Sequence, residues 1–236
     1  MAKILLIDSG IGGISTLCQI RTILPNEEFI YFADKRFMPY GNKTSKQIKQ
    51  RVTEICCYFL SKHNIKAIVI ACNTATACGI EYLREHFKNI IIIGVEPAIK
   101  PAIKELSNGK ALVLVTPNTA LQPKFKQLNN QFFDKTIIAP MKNLAALIEN
   151  NINDLKQIYP KVQNILTQYL GQNIKSVVLG CTHYCFIKDM ISKFFNAKTY
   201  DGNIGTALRL DNLLKDINLI NNSNGGSGIA FFQSLC

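Results

Sequence analysis

Ala67-Ile-Val-Ile-Ala-Cys-Asn-Thr74 and Ser176-Val-Val-Leu-Gly-Cys-Thr-His183 share one design. Each is a short apolar run that ends in a small residue, then a cysteine and hydrogen-bonding residues, then a helical pattern. A run of this length, rich in branched residues and closed by turn formers, reads as a buried strand. A strand that feeds straight into a helix is half of a parallel βαβ unit. The design occurs once in each half of the chain, so two halves of similar plan are expected.

The flanking sequence extends the alternation in both directions. Lys3–Ile7 reads as a strand, Gly10-Ile-Gly-Gly13 as a tight turn and Ile14–Leu24 as a helix. Phe29–Ala33 is a second strand. Ser45–His63 reads as a helix, with Ile48, Val52, Ile55, Cys56, Phe59 and Leu60 on one face. Thr44 and Gln47 have capping-box spacing at its start. Lys66–Ala71, a helix over Thr74–Phe87 and a strand at Ile90–Ile93 complete the first run. The pattern restarts with a helix over Pro97–Ser107, a strand at Lys110–Val115, and a helix around Ala120–Asn130 with Pro123 in its first turns. A strand at Lys135–Ala139 and a helix over Asn143–Asn150 follow. Asp154–Leu170 reads as a helix broken or kinked at Pro160. Ser176–Leu179, a helix over Phe186–Phe195, a strand at Lys198–Tyr200 and a helix over Ile204–Leu214 come next. Asn221–Gly228 reads as a polar, Gly-rich loop, and Ile229–Phe232 as a last strand. The fold class is α/β with mainly parallel sheets.

The chain has 236 residues, 47% apolar and 18% charged, an ordinary globular composition. No apolar run approaches the roughly 18 residues of a membrane span. Met1–Ile7 is too short for a secretory signal, so a cytoplasmic protein with no membrane partner is expected. The formal charge is +11, which suits a small anion as well as a nucleic acid. The basic residues are spread along the chain, with no Arg-rich arm, RNA-binding signature or zinc finger, so no specific nucleic-acid partner is expected. Eight cysteines fall well below a disulfide scaffold and are expected to be reduced. Cys18, Cys56 and Cys57 read as small buried hydrophobes within helices.

Cys72 and Cys181 differ from these. Both fall where an open α/β sheet binds ligands, beyond the carboxyl end of a strand. Both sit near a helix N-terminus, which stabilises a thiolate and brings its pKa toward neutrality. A thiol in such a place serves as nucleophile, metal ligand, redox partner or acid and base. Neither cysteine belongs to a CxxC, which disfavours a redox pair. Cys181-Thr-His-Tyr-Cys185 packs three possible metal ligands, but its spacing fits no usual zinc knuckle, and no metal is expected. A Cys/His hydrolase leaves the second cysteine without a task. Two-base proton transfer uses both: one thiolate takes a proton from one face of a carbon, and the opposing thiol delivers one to the other face. A cleft between two α/β halves supplies that geometry without a cofactor. Asp8, after the first strand, and His183, two residues past Cys181, are the candidates to tune the thiols. The plainer reading of Asp8 is a helix cap, and Ser9 and Thr74 can cap helices as well.

Five segments carry a resemblance. Ile7-Asp-Ser-Gly-Ile-Gly-Gly-Ile14, Pro39-Tyr-Gly41, Ala71-Cys-Asn-Thr-Ala-Thr-Ala77, Gly94-Val-Glu-Pro97 and Leu179-Gly-Cys-Thr-His-Tyr184 are similar, in order and spacing, to those of the glutamate racemase family, within the aspartate/glutamate racemase superfamily. The resemblance implies two similar open parallel-sheet α/β domains with the active site in the cleft between them. Residues 1–94 with 206–236 would form the first domain and residues 95–205 the second. It also implies cofactor-independent racemisation of glutamate, a homodimer, and supply of D-glutamate for peptidoglycan in a bacterial cytoplasm. Carried over by position, Cys72 acts on the D-enantiomer and Cys181 on the L-enantiomer, assisted by Asp8 and His183. Those two also contact substrate, alongside Ser9, Tyr40, Gly41, Asn73, Thr74 and Thr182. A zwitterionic amino acid needs hydrogen-bond donors for its carboxylates, and main-chain N–H groups, hydroxyls and the Asn73 amide supply them.

The chain departs from the family pattern in places. Cys185 stands where the family usually has proline. Thr116-Pro-Asn-Thr119 replaces a Gly-Thr pattern, leaving Thr119 a candidate contact for the side-chain carboxylate. Glu149 falls where the family often has an acid beside the catalytic histidine. The chain is also slightly short after residue 205. The alternatives are aspartate racemase or a related superfamily member, and a non-catalytic binding protein using the basic surface.

Overall fold

A computed structural model describes residues 2–221 and 228–234. Nine strands occur among them: β1 (Lys3–Asp8), β2 (Phe29–Ala33), β3 (Ile65–Ile70), β4 (Ile91–Gly94), β5 (Lys110–Val115), β6 (Thr136–Pro140), β7 (Ile174–Gly180), β8 (Lys198–Asp201) and β9 (Ile229–Gln233). They form a five-stranded sheet in the order β4-β3-β1-β2-β9 and a four-stranded sheet in the order β6-β5-β7-β8. Every pairing is parallel. The helices are α1 (Ile14–Ile23), α2 (Ser45–Lys62), α3 (Asn73–His86), α4 (Ile99–Lys104), α5 (Pro117–Leu121), α6 (Pro123–Asn130), α7 (Leu144–Asn150), α8 (Tyr159–Leu166), α9 (Lys188–Phe195) and α10 (Asn203–Asp216). None is long and apolar enough to cross a membrane.

Successive strand residues point to opposite faces, and both faces of each sheet are covered, so the central strands are apolar throughout. Leu5, Ile7, Ile68 and Ile70 pack with Ile48, Val52, Ile55 and Phe59 of α2 and Ile80 and Leu83 of α3. The alternate residues Ile4, Leu6, Ala67 and Val69 pack with Leu17 and Ile20 of α1 and Ala207, Leu210 and Leu214 of α10. In the second sheet, Leu112, Leu114, Val177 and Leu179 face α7, α8 and α9. Ala111, Val113, Val115 and Val178 face α4 and Phe125 of α6. Thr44 and Gln47 form the capping box that starts α2.

The helices depart from the sequence reading where prolines intervene. The helix expected around Ala120–Asn130 is two: α5 ends at Leu121, Gln122 is extended (φ −71°, ψ 137°), and Pro123 begins α6. The helical region is disfavoured for a residue before proline. The interruption expected at Pro160 is a break: a 3-10 turn over Leu155–Ile158 gives way to α8, whose first turn holds Pro160, and a second 3-10 turn follows at Thr167–Tyr169. That first turn lacks internal N–H partners, so proline fits there. The helix over Pro97–Ser107 shrinks to α4, and the one from Phe186 starts at Lys188, after a 3-10 turn over Thr182–Ile187. Cys56 is buried, but Cys18 and Cys57 are exposed. Each follows a buried residue, Leu17 or Cys56, by one position, about 100° around the helix. Of the loop expected at Asn221–Gly228, residues 222–227 lie outside the described residues. The last strand is present as β9, paired with β2.

Candidate active site

Cys72 follows β3 and is the N-cap residue of α3; Cys181 follows β7 and precedes the 3-10 turn at Thr182. The two strands belong to different sheets. Both cysteines nevertheless line one pocket, together with Ser9, Tyr40, Gly41, Thr74 and His183. Its cavity volume is about 30 Å³, room for a water molecule or two and too little for an amino acid.

Burial outweighs the helix N-termini in setting the thiols. Cys72 is pushed up to about 12 by desolvation and by the nearby charge of Asp8. The N–H groups of Ala75 and Thr74 and the Ser9 hydroxyl, 3.8 Å from its Sγ, pull the other way. Desolvation and the charge of Cys72 hold Cys181 well above the ordinary thiol value, against the N–H of His183. The expected approach to neutrality is therefore not met: both groups are protonated thiols at neutral pH in this structure.

Asp8 and His183, the two residues expected to assist the thiols, are fixed from behind the pocket. Asp8 is wholly buried. It accepts hydrogen bonds from the Gly10 N–H at 2.8 Å and the Thr182 hydroxyl at 3.1 Å. It caps no helix, because the N-cap of α1 is Gly13 with no side-chain cap. The caps suggested for Ser9 and Thr74 are also absent, Thr74 being the second residue of α3. The Nδ1 of His183 lies 4.0 Å from the Cys181 sulfur, and its Nε2 lies 2.7 Å from Oε2 of Glu149. A carboxylate on Nε2 makes that nitrogen a donor and fixes the ring, so that Nδ1 is the nitrogen facing the thiol. Glu149 also accepts from the Ile11 N–H at 2.9 Å. Burial works to raise its pKa, but the bonds from His183 and Ile11, with the charges of His183 and Lys35, hold it below the ordinary carboxylate value. Gly12 permits this approach, since a Cβ there would stand 2.4 Å from Thr182 Oγ1 and 2.6 Å from His183 Nδ1.

Three threonine hydroxyls join the two halves at the pocket wall. Thr74, Thr116 and Thr119 lie within 2.8–3.2 Å of one another. Asn73 does not line the pocket; its amide donates to the Val95 carbonyl at 3.2 Å. Thr182 and Asp8 also lie outside the lining, bonded to each other. The structure adds Met38, Thr116, Met141, Asn143, Ala145 and Ala146 to the lining. Only Asn143 carried a local signal, as a helix-preceding Asn now at φ 59°. Among the described residues, no group of three or more His, Cys, Asp or Glu side chains is placed to hold a metal ion.

The family model described as Asp/Glu/Hydantoin racemase matches residues 13–207. A glutamate racemase of Clostridium novyi (strain NT) is 40% identical over 232 residues, covering 97% of this chain and 89% of that protein. The crystal structure of Escherichia coli glutamate racemase, in complex with L-glutamate and the activator UDP-MurNAc-Ala, superposes with a TM-score of 0.88 at 27% identity, covering 99% of this chain and 89% of that one. A glutamate racemase from Francisella tularensis, in complex with D-glutamate, gives 0.84 at 27% identity, covering 100% and 89%.

Proposed function

The chain belongs to the glutamate racemase family of isomerases, and from that premise we propose that it interconverts L- and D-glutamate with Cys72 and Cys181 as its two acid/base groups. The observation that carries the reading is one pocket lined by two buried thiols from two different sheets. From D-glutamate, the Cys72 thiolate takes the α-proton while the Cys181 thiol delivers its own proton to the opposite face. The reverse reaction exchanges the roles, so each turnover conserves protons and needs no cofactor. Asp8, whose charge reaches Cys72, assists that thiol, and His183, beside Cys181, assists the other. Ser9, Tyr40, Gly41, Asn73, Thr74 and Thr182 hold the substrate, Asn73 and Thr182 through their main chains because their side chains are engaged elsewhere. Donors around the α-carboxylate also stabilise the charge that develops there.

The same reading divides the chain into residues 1–94 with 206–236 and residues 95–205. The packing of Ala207, Leu210 and Leu214 with Leu17 and Ile20 supports giving the C-terminal helix to the first unit. It makes the protein a cytoplasmic homodimer that supplies D-glutamate for peptidoglycan.

The test is proton exchange with a chirality readout. The reduced protein is incubated in D2O with either enantiomer of glutamate and no added cofactor. Loss of the α-proton by NMR together with loss of optical activity is the expected result. Turnover of aspartate alone would move the substrate to the shorter acid, and silence on both would remove the catalytic reading.

A further inference from the structure

The segment between β2 and α2 walls the pocket with Met38, Pro39, Tyr40, Gly41 and Asn42. Three side chains tie it down. Asp34 stands at its entrance, wholly buried, with its N–H donating to the Asp8 carbonyl at 2.9 Å. Arg51, in the second turn of α2, holds both oxygens of Asp34: Nε to Oδ2 at 2.8 Å and Nη2 to Oδ1 at 2.7 Å. The hydroxyl of Tyr40, from the middle of the segment, donates to Oδ2 at 2.9 Å. A planar guanidinium matched to a buried carboxylate is among the stiffest polar contacts a protein makes. One carboxylate therefore closes the segment at its entrance, its middle and its exit.

The orientation of Tyr40 gives this closure a role. Its ring is 1% exposed and packs edge-on against Phe37. Its hydroxyl is engaged by Asp34, which does not line the pocket. What Tyr40 and Gly41 offer a ligand is their main chain, and neither N–H has an acceptor among the described residues. On the opposite side the segment is pressed close, since a Cβ at Gly41 would lie 3.3 Å from Thr116.

Resting on the racemase reading above, we propose that Asp34 and Arg51 are positioning residues for substrate selection: through Tyr40 they fix the two free main-chain N–H groups at one distance from the thiols. That distance selects an acid by the reach between its α-carbon and its side-chain carboxylate. The thiols themselves sit on α3 and at the end of β7, off this segment. Loosening the segment should thus weaken recognition while sparing proton transfer.

The test compares Arg51→Lys, Arg51→Gln and Tyr40→Phe with the wild type, on glutamate and aspartate, with thermal melts alongside. Arg51→Lys keeps the charge and loses the fork, and Tyr40→Phe removes only the hydroxyl, so a folded variant remains even where Arg51→Gln fails to fold. The expected result is a rise in KM for glutamate of about three- to tenfold in both directions, about the worth of one ordinary hydrogen bond. The kcat should stay within about twofold, as the loss of contacts made equally in the ground and transition states implies, and the preference for glutamate over aspartate should fall. An unchanged KM in folded variants, a fall in kcat alone, or equal losses on both acids would overturn the assignment. A wild type silent on glutamate would refute the racemase reading and the assignment with it, whereas an active wild type with unaffected variants refutes the assignment alone.

Discussion

Desolvation pushes the buried Asp8 carboxyl above its ordinary value, and the charge of His183 with the bonds from Gly10 and Thr182 only partly opposes it. The folded state thus favours protonated Asp8. The stability it contributes is complete below the ordinary carboxyl value of 3.8 and is lost as pH rises through the folded value. In its charged form, Asp8 is held at a cost to the fold. Asp8→Asn keeps an acceptor for Gly10 and a partner for Thr182 while removing the charge. It should melt about 2–4 °C higher at pH 7 for each kcal/mol of strain relieved, lose racemisation, and match the wild type at pH 3. A lower melting point at pH 7 would contradict this account. Glu149 has the opposite sign: its depressed value gives stability that is present above 4.5 and lost as pH falls through the folded value. Glu149→Gln should therefore weaken the fold at pH 7 and not at pH 3, as denaturant midpoints at the two pH values would show. For the thiols, Cys72→Ala and Cys181→Ala should each cut racemisation by at least about 10²–10⁴-fold, the usual worth of a positioned acid or base. Near-normal rates in both variants would remove the two-base mechanism. Cys72, Cys181, Asp8 and His183 could be singled out in the sequence because each lies at or just past the end of a strand in a distinctive segment. Their protonation was not, because desolvation is set by residues remote in the chain.

Strands were the most legible elements, because both faces of each sheet are covered and a central strand such as β3 is apolar at nearly every position. Helices were legible where one long face packs, as in α2, and misjudged where Pro123 resets the chain. The pocket followed the same division. Residues just past strand ends were found, while Met38, Met141, Asn143 and Ala146 come from connecting segments that no periodicity places. The turn before α1 tests how closely those segments must meet. Gly12→Ala would drive a methyl into Thr182 and His183, displacing the ring from Cys181. Overpacking of this kind costs about 1–3 kcal/mol, and the loss of racemisation should exceed what the melting point alone explains. A variant with wild-type kinetics would show that the glycine serves only the turn.

The two sheets meet across a cavity too small for substrate, and parting of the halves would widen it. A chain of polar contacts spans the line of parting. The Ser45 hydroxyl donates to Gln122 at 3.0 Å, Gln122 to the Asn118 side chain at 2.6 Å, and Asn118 to the Lys43 carbonyl at 2.9 Å. Ser45 and Lys43 flank the start of α2, whereas Asn118 and Gln122 belong to the α5 corner of the second sheet, so each bond at either end must break on opening. The cysteines report that motion directly. Cys18 and Cys57 are exposed at all times, while Cys72 and Cys181 are buried until the halves separate. Alkylation followed by peptide mass mapping should therefore modify Cys18 and Cys57 first, and Cys72 and Cys181 more slowly. Opening that costs about 1.4 kcal/mol less raises the exposed population tenfold. Asn118→Ala with Gln122→Ala, which deletes the bonds at both ends, should speed labelling of the two pocket cysteines by about that factor. The rates at Cys18 and Cys57 should not change, which separates opening of the cleft from general unfolding. Equal acceleration at all four sites would mean a destabilised fold, and no acceleration at any would mean that these contacts do not hold the halves together.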